Sequence, residues 1–174
     1  MNNTIIIDNF FDNFEFLEHQ FKKIPLLSLN EHRDLSDGIT WPGKRSLSLQ
    51  EENPFLWQLI VKEIMSKSQN ERLIYHTWRM VASVHLRLEE DNEKDWIHTD
   101  PDDLTMIVFL GKTNLNSGLS LYNIDKEETT SIKYVQNRAV IFDGRNLHKS
   151  SLNFGDNIEN GRLTLNCFIN FIRG

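Results

Sequence analysis

Three side chains of the kinds that bind divalent metals stand out in the sequence: His98, Asp100 and His148. His98 and Asp100 are two positions apart, so in an extended segment both side chains point to the same face. His148 comes just after an apolar stretch at 138–143, which is typical of a buried strand. Two imidazoles and one carboxylate can hold iron(II) on one face and leave the opposite coordination positions open. The pattern therefore predicts a mononuclear iron(II) centre with His98, Asp100 and His148 as ligands and catalytic residues.

Arg162 and Thr164 are candidates for binding a carboxylate next to this metal. Both fall on one face of a predicted strand at 162–172, because side chains alternate between the two faces of a strand. A guanidinium group can bind a carboxylate through two parallel hydrogen bonds, and a nearby hydroxyl can donate a third. This arrangement suits the far carboxylate of a dicarboxylic acid whose other end reaches the metal.

Ordinary explanations for these residues stay open at the level of the sequence. Each histidine could lie on the surface, and Asp100 could cap a turn because Pro101-Asp102-Asp103 follows it. Arg162 could form a surface ion pair, and Thr164 could be a plain strand residue. Their occurrence in this order, all on or beside predicted strands, favours the functional interpretation.

Five further residues lie close to these motifs without a defined role: His85, Arg87, Trp96, Tyr122 and Arg145. The first two share the polar face of a strand and either contact a ligand or are ordinary strand residues. The tryptophan packs over the ligand or belongs to the core. A core position is favoured for the tyrosine, and a solvated position for the last arginine.

The segments that must position these side chains are mostly strands in the second half of the chain. Residues 79–89 alternate between apolar and polar side chains, which indicates a strand with one face on the core. Further strands are predicted at 104–110, 118–124, 131–134, 138–143 and 162–172. Strands at such short spacing, following helices, predict a mainly β fold, a sandwich or jelly roll with flanking helices.

The first 70 residues are predicted to support this sheet, mainly with helices. A short buried strand is expected at 5–7, and helical spacing at 8–23 makes the aromatic stripe from Phe10 to Phe21 part of the core. A second helix is expected at 54–66, with Asn53 as its cap and Pro54 at its first position. We thus expect one domain over residues 1–174, with 1–70 as helical support and 71–174 as the jelly-roll core.

Composition and charge exclude several other functions. The 174 residues carry a formal net charge of -6, which weighs against nonspecific nucleic-acid binding. A single cysteine, Cys167, excludes an intrachain disulfide and a multi-cysteine metal site. No apolar run is long enough to span a membrane, and the start of the sequence lacks signal-peptide features, so a cytoplasmic location is expected. The sequence makes no prediction of the oligomeric state.

Taken together, these residues resemble the iron(II)/2-oxoglutarate-dependent dioxygenase superfamily. The resemblance is carried by the His98-x-Asp100 motif, the distant His148, and Arg162 with Thr164 two positions further on. It covers about residues 80–172, and the helices before them loosely fit the prolyl-hydroxylase-like branch. The sequence has Ile158 where prolyl hydroxylases usually carry a lysine, and only one glycine in Ser117-Gly118, where a pair is frequent. These departures concern substrate and branch, not metal binding.

The resemblance implies a double-stranded β-helix, that is, a jelly roll, that binds iron(II) through His98, Asp100 and His148. It also implies that Arg162 and Thr164 bind 2-oxoglutarate, with ascorbate as an optional auxiliary. The implied reaction is hydroxylation of a peptide residue or small metabolite, with release of succinate and CO2. Two alternatives stay open. One is a jelly-roll module that binds a metal or ligand without oxidising anything, and the other is a metal-dependent enzyme that uses no 2-oxoglutarate.

Overall fold

The computed structural model describes residues 4–32 and 41–172, which form two antiparallel sheets and several helices. The strands are β1 (Ile5–Ile7), β2 (Leu27–Ser28), β3 (Lys44–Arg45), β4 (Trp78–Arg87), β5 (Leu104–Phe109), β6 (Asn114–Tyr122), β7 (Glu128–Tyr134), β8 (Ala139–Asp143), β9 (Leu147–Ser150) and β10 (Arg162–Phe171). The helices are α1 (Phe14–Lys22), α2 (Leu49–Glu52), α3 (Pro54–Lys67) and α4 (Glu71–Tyr75), and a 3₁₀ helix spans Glu89–Lys94.

The two sheets differ in size and together enclose the site. The larger sheet has the order β1-β8-β5-β10-β4-β3-β2, and the smaller one has the order β7-β6-β9. The long strands β4 and β10 pair over their full length at the centre of the larger sheet, with Arg87 opposite Arg162 and His85 opposite Thr164. The polar faces of these two strands therefore meet in one place.

Alternation along β4 explains why the larger sheet has an apolar face and a polar face. Met80, Ala82 and Val84 belong to a core that also contains helix residues, so this face packs against the helices. A second, smaller core lies between the two sheets and includes residues of β5, β6, β7 and β8: Ile107, Phe109, Leu119, Leu121, Ile132, Tyr134, Val140 and Phe142. The predicted mainly β jelly-roll fold with flanking helices is confirmed.

Helix α3 begins where the sequence predicts it. Pro54 occupies the first turn, and the Asn53 side chain accepts a hydrogen bond from the backbone N of Leu56 at 3.1 Å. Proline fits this position because the first amide groups of a helix have no intrahelical partner. The apolar stripe of the helix then buries Leu56, Ile60 and Ile64 against the larger sheet.

The segment predicted as helical at 8–23 forms a helix only from Phe14 onward. The buried Asn137 side chain accepts a hydrogen bond from the Phe11 backbone N and donates one to the Phe11 carbonyl, both at 2.9 Å. These two bonds satisfy the backbone N–H and carbonyl of Phe11, which therefore need no helical partners. The prediction that the whole aromatic stripe is core is wrong for Phe16, which is 58% exposed, while Phe10 and Phe21 are buried.

The short elements differ most from the sequence-based expectation. The strands β2 and β3 and the helix α4 are not predicted, because two to five residues carry too little periodicity to recognise. Strand β1 is half-buried, not buried, since it pairs with β8 at the edge of the larger sheet. Among the described residues, no helix has the length and apolar character needed to cross a bilayer.

Candidate metal centre

The backbone brings the two candidate histidine ligands together. The His98 backbone N donates to the His148 carbonyl at 3.0 Å, and the His148 backbone N donates to the His98 carbonyl at 2.8 Å. His148 lies on β9 of the smaller sheet, whereas the sequence places it only just after β8. A two-way backbone bridge of this kind fixes both residues side by side before any metal is considered.

The turn between β8 and β9 holds the third candidate ligand. The Asp100 backbone N donates to the carbonyl of Gly144 at 2.7 Å. A side chain at position 144 would collide with the Asp102 carbonyl, so glycine lets the turn approach the 98–102 segment. Asp102 and Asp103 point away and accept hydrogen bonds from Asn170 and Phe171 of β10, which anchors the other end of this segment.

The three side chains converge on one point. Each offers one donor atom, and all three atoms lie within 4.8 Å of one another. The Asp100 carboxylate is 3.4 Å from His148 Nε2 and 4.0 Å from His98 Nε2. His148 is buried, and the other two are half-buried, so the centre is largely shielded from solvent.

The hydrogen bonds of the two rings leave the converging nitrogens free to bind a metal. His98 Nδ1 lies 2.9 Å from the Trp96 carbonyl, and His148 Nδ1 lies 2.8 Å from the Asn146 carbonyl. Because a carbonyl oxygen only accepts, each Nδ1 carries a proton, and the Nε2 of the neutral ring presents a lone pair. This is the tautomer that a histidine requires to bind a metal through Nε2.

The charge states of the residues also suit a metal. Burial alone would raise the pKa of Asp100, but its contact with His148 and the hydrogen bond from Thr105 outweigh it and hold the pKa below its ordinary value. Burial and the neighbouring His148 lower the pKa of His98, which favours its neutral form. A deprotonated carboxylate and neutral imidazoles are the forms that bind metals, so the donor set fits iron(II).

Thr105 is predicted to tune the metal affinity through Asp100. Its buried hydroxyl donates to Asp100 Oδ2 at 2.6 Å. Removing this bond in Thr105→Val leaves the carboxylate free to rotate, and we expect iron(II) binding to weaken about 10-fold to 100-fold. An anaerobic metal titration measures this change, and Thr105→Ser, which keeps the hydroxyl, should restore the affinity. Equal affinities for Thr105→Val and the wild-type protein would contradict the assigned role.

Arg162 and Thr164 lie across a small cavity from the two histidines. The cavity has a volume of about 30 Å³ and is lined by both residues together with His98 and His148. Arg162 is 4% exposed, its Nη2 donates to the Gly118 carbonyl at 3.3 Å, and its Nε has no partner among the described residues. Burial and the neighbouring Arg87 lower its pKa to about 10, so it remains charged at neutral pH. A buried cation with an unused donor suits a carboxylate ligand.

A larger chamber is also lined by the two histidines. It has a volume of about 270 Å³ and contains Asp100 in its wall, whereas Arg162 and Thr164 line only the inner cavity. The two spaces share five lining residues: His85, Arg87, His98, His148 and Asn166. A metal bound by the two histidines and Asp100 would therefore lie at the junction of the inner cavity and the outer chamber.

Sequence comparison gives a family match but no function. The model of a family of unknown function, DUF6445, matches residues 98–169, a segment that contains all five predicted site residues. No curated protein matches the chain.

Structure comparison identifies the fold. An oxidoreductase of the 2OG-Fe(II) oxygenase family from Burkholderia pseudomallei superposes with a TM-score of 0.62 at 8% identity, over 96% of this chain and 84% of its own. The 2OG complex of a viral collagen prolyl hydroxylase from Paramecium Bursaria Chlorella virus-1 gives 0.58 at 13% identity, over 95% and 94%. HygX from Streptomyces hygroscopicus, with nickel and 2-oxoglutarate bound, gives 0.63 at 10% identity, over 97% and 82%. The chain has the fold of the 2OG-Fe(II) oxygenases.

Within this oxygenase fold, His85 and Arg87 have distinct environments. Burial and three neighbouring arginines lower the pKa of His85 well below its ordinary value, so it is neutral, and its Nε2 contacts the Ser83 hydroxyl at 2.9 Å. Arg87 pairs with the carboxylate of Asp95 at 2.6 Å. Because Asp95 directly precedes the 96–100 segment, this ion pair ties the segment that carries His98 and Asp100 to β4.

Breaking the Arg87–Asp95 pair is predicted to destabilise the protein. Both side chains are largely buried, at 10% and 2% exposed, so Asp95→Asn leaves a buried arginine without its counter-charge. We expect the free energy of unfolding of the metal-free protein, measured by urea denaturation, to fall by about 3–5 kcal/mol. The pair of Arg138 and Asp8 has the same 2.6 Å separation but lies at the surface, so Asp8→Asn should cost less than about 1 kcal/mol. Similar losses for both variants would show that the Asp95 pair has no special structural role.

The other three residues singled out in the sequence lie around the candidate metal centre in different ways. Trp96 is 42% exposed, and its ring centroid lies 5.7 Å from that of His98, so it forms part of the outer chamber wall and is not core. Tyr122 is half-buried at the end of β6. Arg145 is exposed, lies 3.7 Å from Asp103, and lines a separate surface cavity.

Several residues at the candidate site are absent from the sequence-based prediction. Thr105 and Asp95 contact ligand residues or their neighbours, and Trp41 and Arg45 form part of the outer chamber. A polar residue at the second position of the apolar strand 104–110 is the one signal that could have pointed to Thr105. The other three lie in segments without periodicity, so their positions follow from tertiary packing alone.

Proposed function

We propose that the chain is an iron(II)- and 2-oxoglutarate-dependent oxygenase. In this reaction 2-oxoglutarate and oxygen are consumed, succinate and CO2 are released, and one oxygen atom is inserted into a C–H bond of a small molecule or peptide residue. The proposal is supported most directly by the convergence of His98, Asp100 and His148 within 4.8 Å, with both Nε2 atoms free to bind.

The two spaces around the histidines support separate places for cosubstrate and substrate. The inner cavity, at about 30 Å³, admits little more than one or two waters, so it suits the carboxylate end of a dicarboxylic acid rather than a whole molecule. Arg162 and Thr164 would bind that carboxylate, and the remaining atoms would extend past His148 to the metal. The outer chamber is then left for the molecule that is oxidised.

The bound metal would supply the coordination positions at which the keto acid and oxygen react. The protein's own residues orient and shield this centre. The backbone bridge holds His98 and His148, Thr105 orients Asp100, and the Trp96 and Asn146 carbonyls fix the ring protons away from the metal. Burial between two sheets limits water at the centre, which strengthens each of these electrostatic contacts.

The proposal is tested by product formation. Purified protein with iron(II), 2-oxoglutarate, ascorbate and air should release succinate, and the rate should rise when a suitable amino acid, peptide or metabolite is added. Omitting iron(II) or oxygen is the control. Binding of 2-oxoglutarate without any succinate would favour the alternative of a ligand-binding module. Metal-dependent turnover that does not require 2-oxoglutarate would favour an enzyme of another class.

A further inference from the structure

Arg45 lines the outer chamber, whereas Arg162 lines only the inner cavity. Arg45 belongs to β3, where it pairs opposite His85 of β4, and its side chain lines the chamber together with Trp41 and Trp96. Its guanidinium carbon lies 4.5 Å from the centroid of the Trp41 ring. A guanidinium group stacked on an indole ring is held in place yet keeps its hydrogen-bond donors at the edge free.

The surroundings of Arg45 fix it in this position. His32 packs edge-on against Trp41 with ring centroids 5.2 Å apart, and its Nε2 donates to the Arg45 carbonyl at 3.1 Å. Cation, indole and imidazole thus form one cluster beside the chamber, with the guanidinium over the indole face and the imidazole edge-on to the indole. Because both the backbone and the side chain of Arg45 are held, little conformational entropy is lost when it binds a ligand.

In the part of the chain that the structure describes, no carboxylate pairs with Arg45. Its Nε is buried without a hydrogen-bond partner, and no acidic group of that part lies within ion-pair distance. Burial and the neighbouring Arg87 lower its pKa to about 10, which leaves it charged at neutral pH. The carboxylate of Asp100, also in the chamber wall, is already engaged by His148 and Thr105.

The size and wall of the chamber restrict what Arg45 could bind. A volume of about 270 Å³ suits a small molecule, and Trp41, Trp96 and Phe168 provide apolar surface. Arg87 is neutralised by Asp95, so Arg45 is the cation of the described chamber wall that retains its charge for a ligand. One guanidinium group balances the single charge of a carboxylate but only half of the charge of a phosphate dianion, so a carboxylate fits this single cation better.

We propose that the outer chamber binds a small substrate with a carboxylate and an apolar body, and that Arg45 anchors the carboxylate. This inference rests on the proposed function, since the chamber receives the substrate only if metal and 2-oxoglutarate occupy the junction and the inner cavity. It narrows the substrate class to small carboxylic acids, and it makes Arg45 a specificity-determining residue.

Matched pairs of acids and amides test the inference on the protein with iron(II) and 2-oxoglutarate bound. Protein with iron(II) and 2-oxoglutarate under anaerobic conditions is titrated calorimetrically with 3-phenylpropionate, indole-3-acetate and hexanoate, and with the primary amide of each. We expect at least one acid to bind about tenfold or more tightly than its amide, because the amide loses a charge-assisted hydrogen bond. In Arg45→Gln the preference for the acid should disappear. Arg145→Gln removes the same charge from a nearby surface position and should keep the preference.

The outcomes separate this inference from the proposed function. The absorbance of the same samples reports whether iron(II) and 2-oxoglutarate bind, and failure there overturns the proposed function. Normal binding of both, with acids and amides equal or no acid bound at millimolar concentration, overturns the assignment of Arg45 alone. Tighter binding of phenyl phosphate than of 3-phenylpropionate also overturns it. If Arg45→Gln does not fold, the comparison of acid and amide on the wild-type protein still tests the inference, because equal binding of the two would overturn it.

Discussion

Replacing His148 with alanine should abolish succinate release and weaken iron(II) binding by at least about 100-fold. The substitution removes the buried Nε2 that lies 3.4 Å from the Asp100 carboxylate. It leaves the backbone bridge to His98 available, because that bridge uses only main-chain atoms. The loss should therefore reflect the missing donor rather than a displaced loop. Anaerobic titration with iron(II) and a succinate assay measure the two effects.

The control for this variant is a histidine far from the centre. His76 is exposed, and its ring packs edge-on against Phe171, so His76→Ala should retain both metal binding and turnover. Circular dichroism of both variants checks that the fold is retained. If His148→Ala, correctly folded, still bound iron(II) like the wild-type protein, the proposed ligand set would be wrong.

The second large effect is expected at Arg162. Arg162→Gln should raise the KM for 2-oxoglutarate about 10-fold to 100-fold, because a buried charge-assisted contact to the distal carboxylate is lost. The kcat at saturating 2-oxoglutarate should change much less, since Arg162 lines the inner cavity and is not one of the candidate metal ligands. Thr164→Val removes a neutral hydroxyl and should raise the KM by a smaller factor, about 3-fold to 10-fold.

A truncated cosubstrate separates a binding role of Arg162 from a structural one. 2-Oxobutyrate keeps the keto acid end but lacks the distal carboxylate, so the wild-type protein should strongly prefer 2-oxoglutarate. Arg162→Gln should lose most of this preference. If the variant instead lost activity equally with both keto acids, Arg162 would support the sheet and would not bind the cosubstrate.

The alternation of long strands made much of the site predictable from sequence. In β10, Arg162 and Thr164 fall on the polar face, and in β4, His85 and Arg87 do the same. A one-residue shift would place each of them in the apolar core, so the pattern fixes which way they point. The shared direction of His98 and Asp100 is equally predictable, because two residues at alternate positions of an extended segment share a face.

The remaining features depend on contacts between distant parts of the chain. Strand β9 has only four residues, so nothing in its sequence indicates that His148 forms a backbone bridge with His98. Arg45 belongs to a strand of two residues and reaches the site only because β3 pairs with β4. The Arg87–Asp95 pair likewise results from packing, since either residue alone is compatible with a surface position.

The central claim is that His98, Asp100 and His148 bind iron(II) beside a 2-oxoglutarate site, and anaerobic absorption spectroscopy tests it most directly. Adding 2-oxoglutarate to the protein with iron(II) should produce a visible metal-to-ligand charge-transfer band that saturates at one equivalent of metal. The band should be missing in His148→Ala and should require more 2-oxoglutarate in Arg162→Gln. A wild-type protein that gives no band, or a band of equal strength in His148→Ala, would contradict the account.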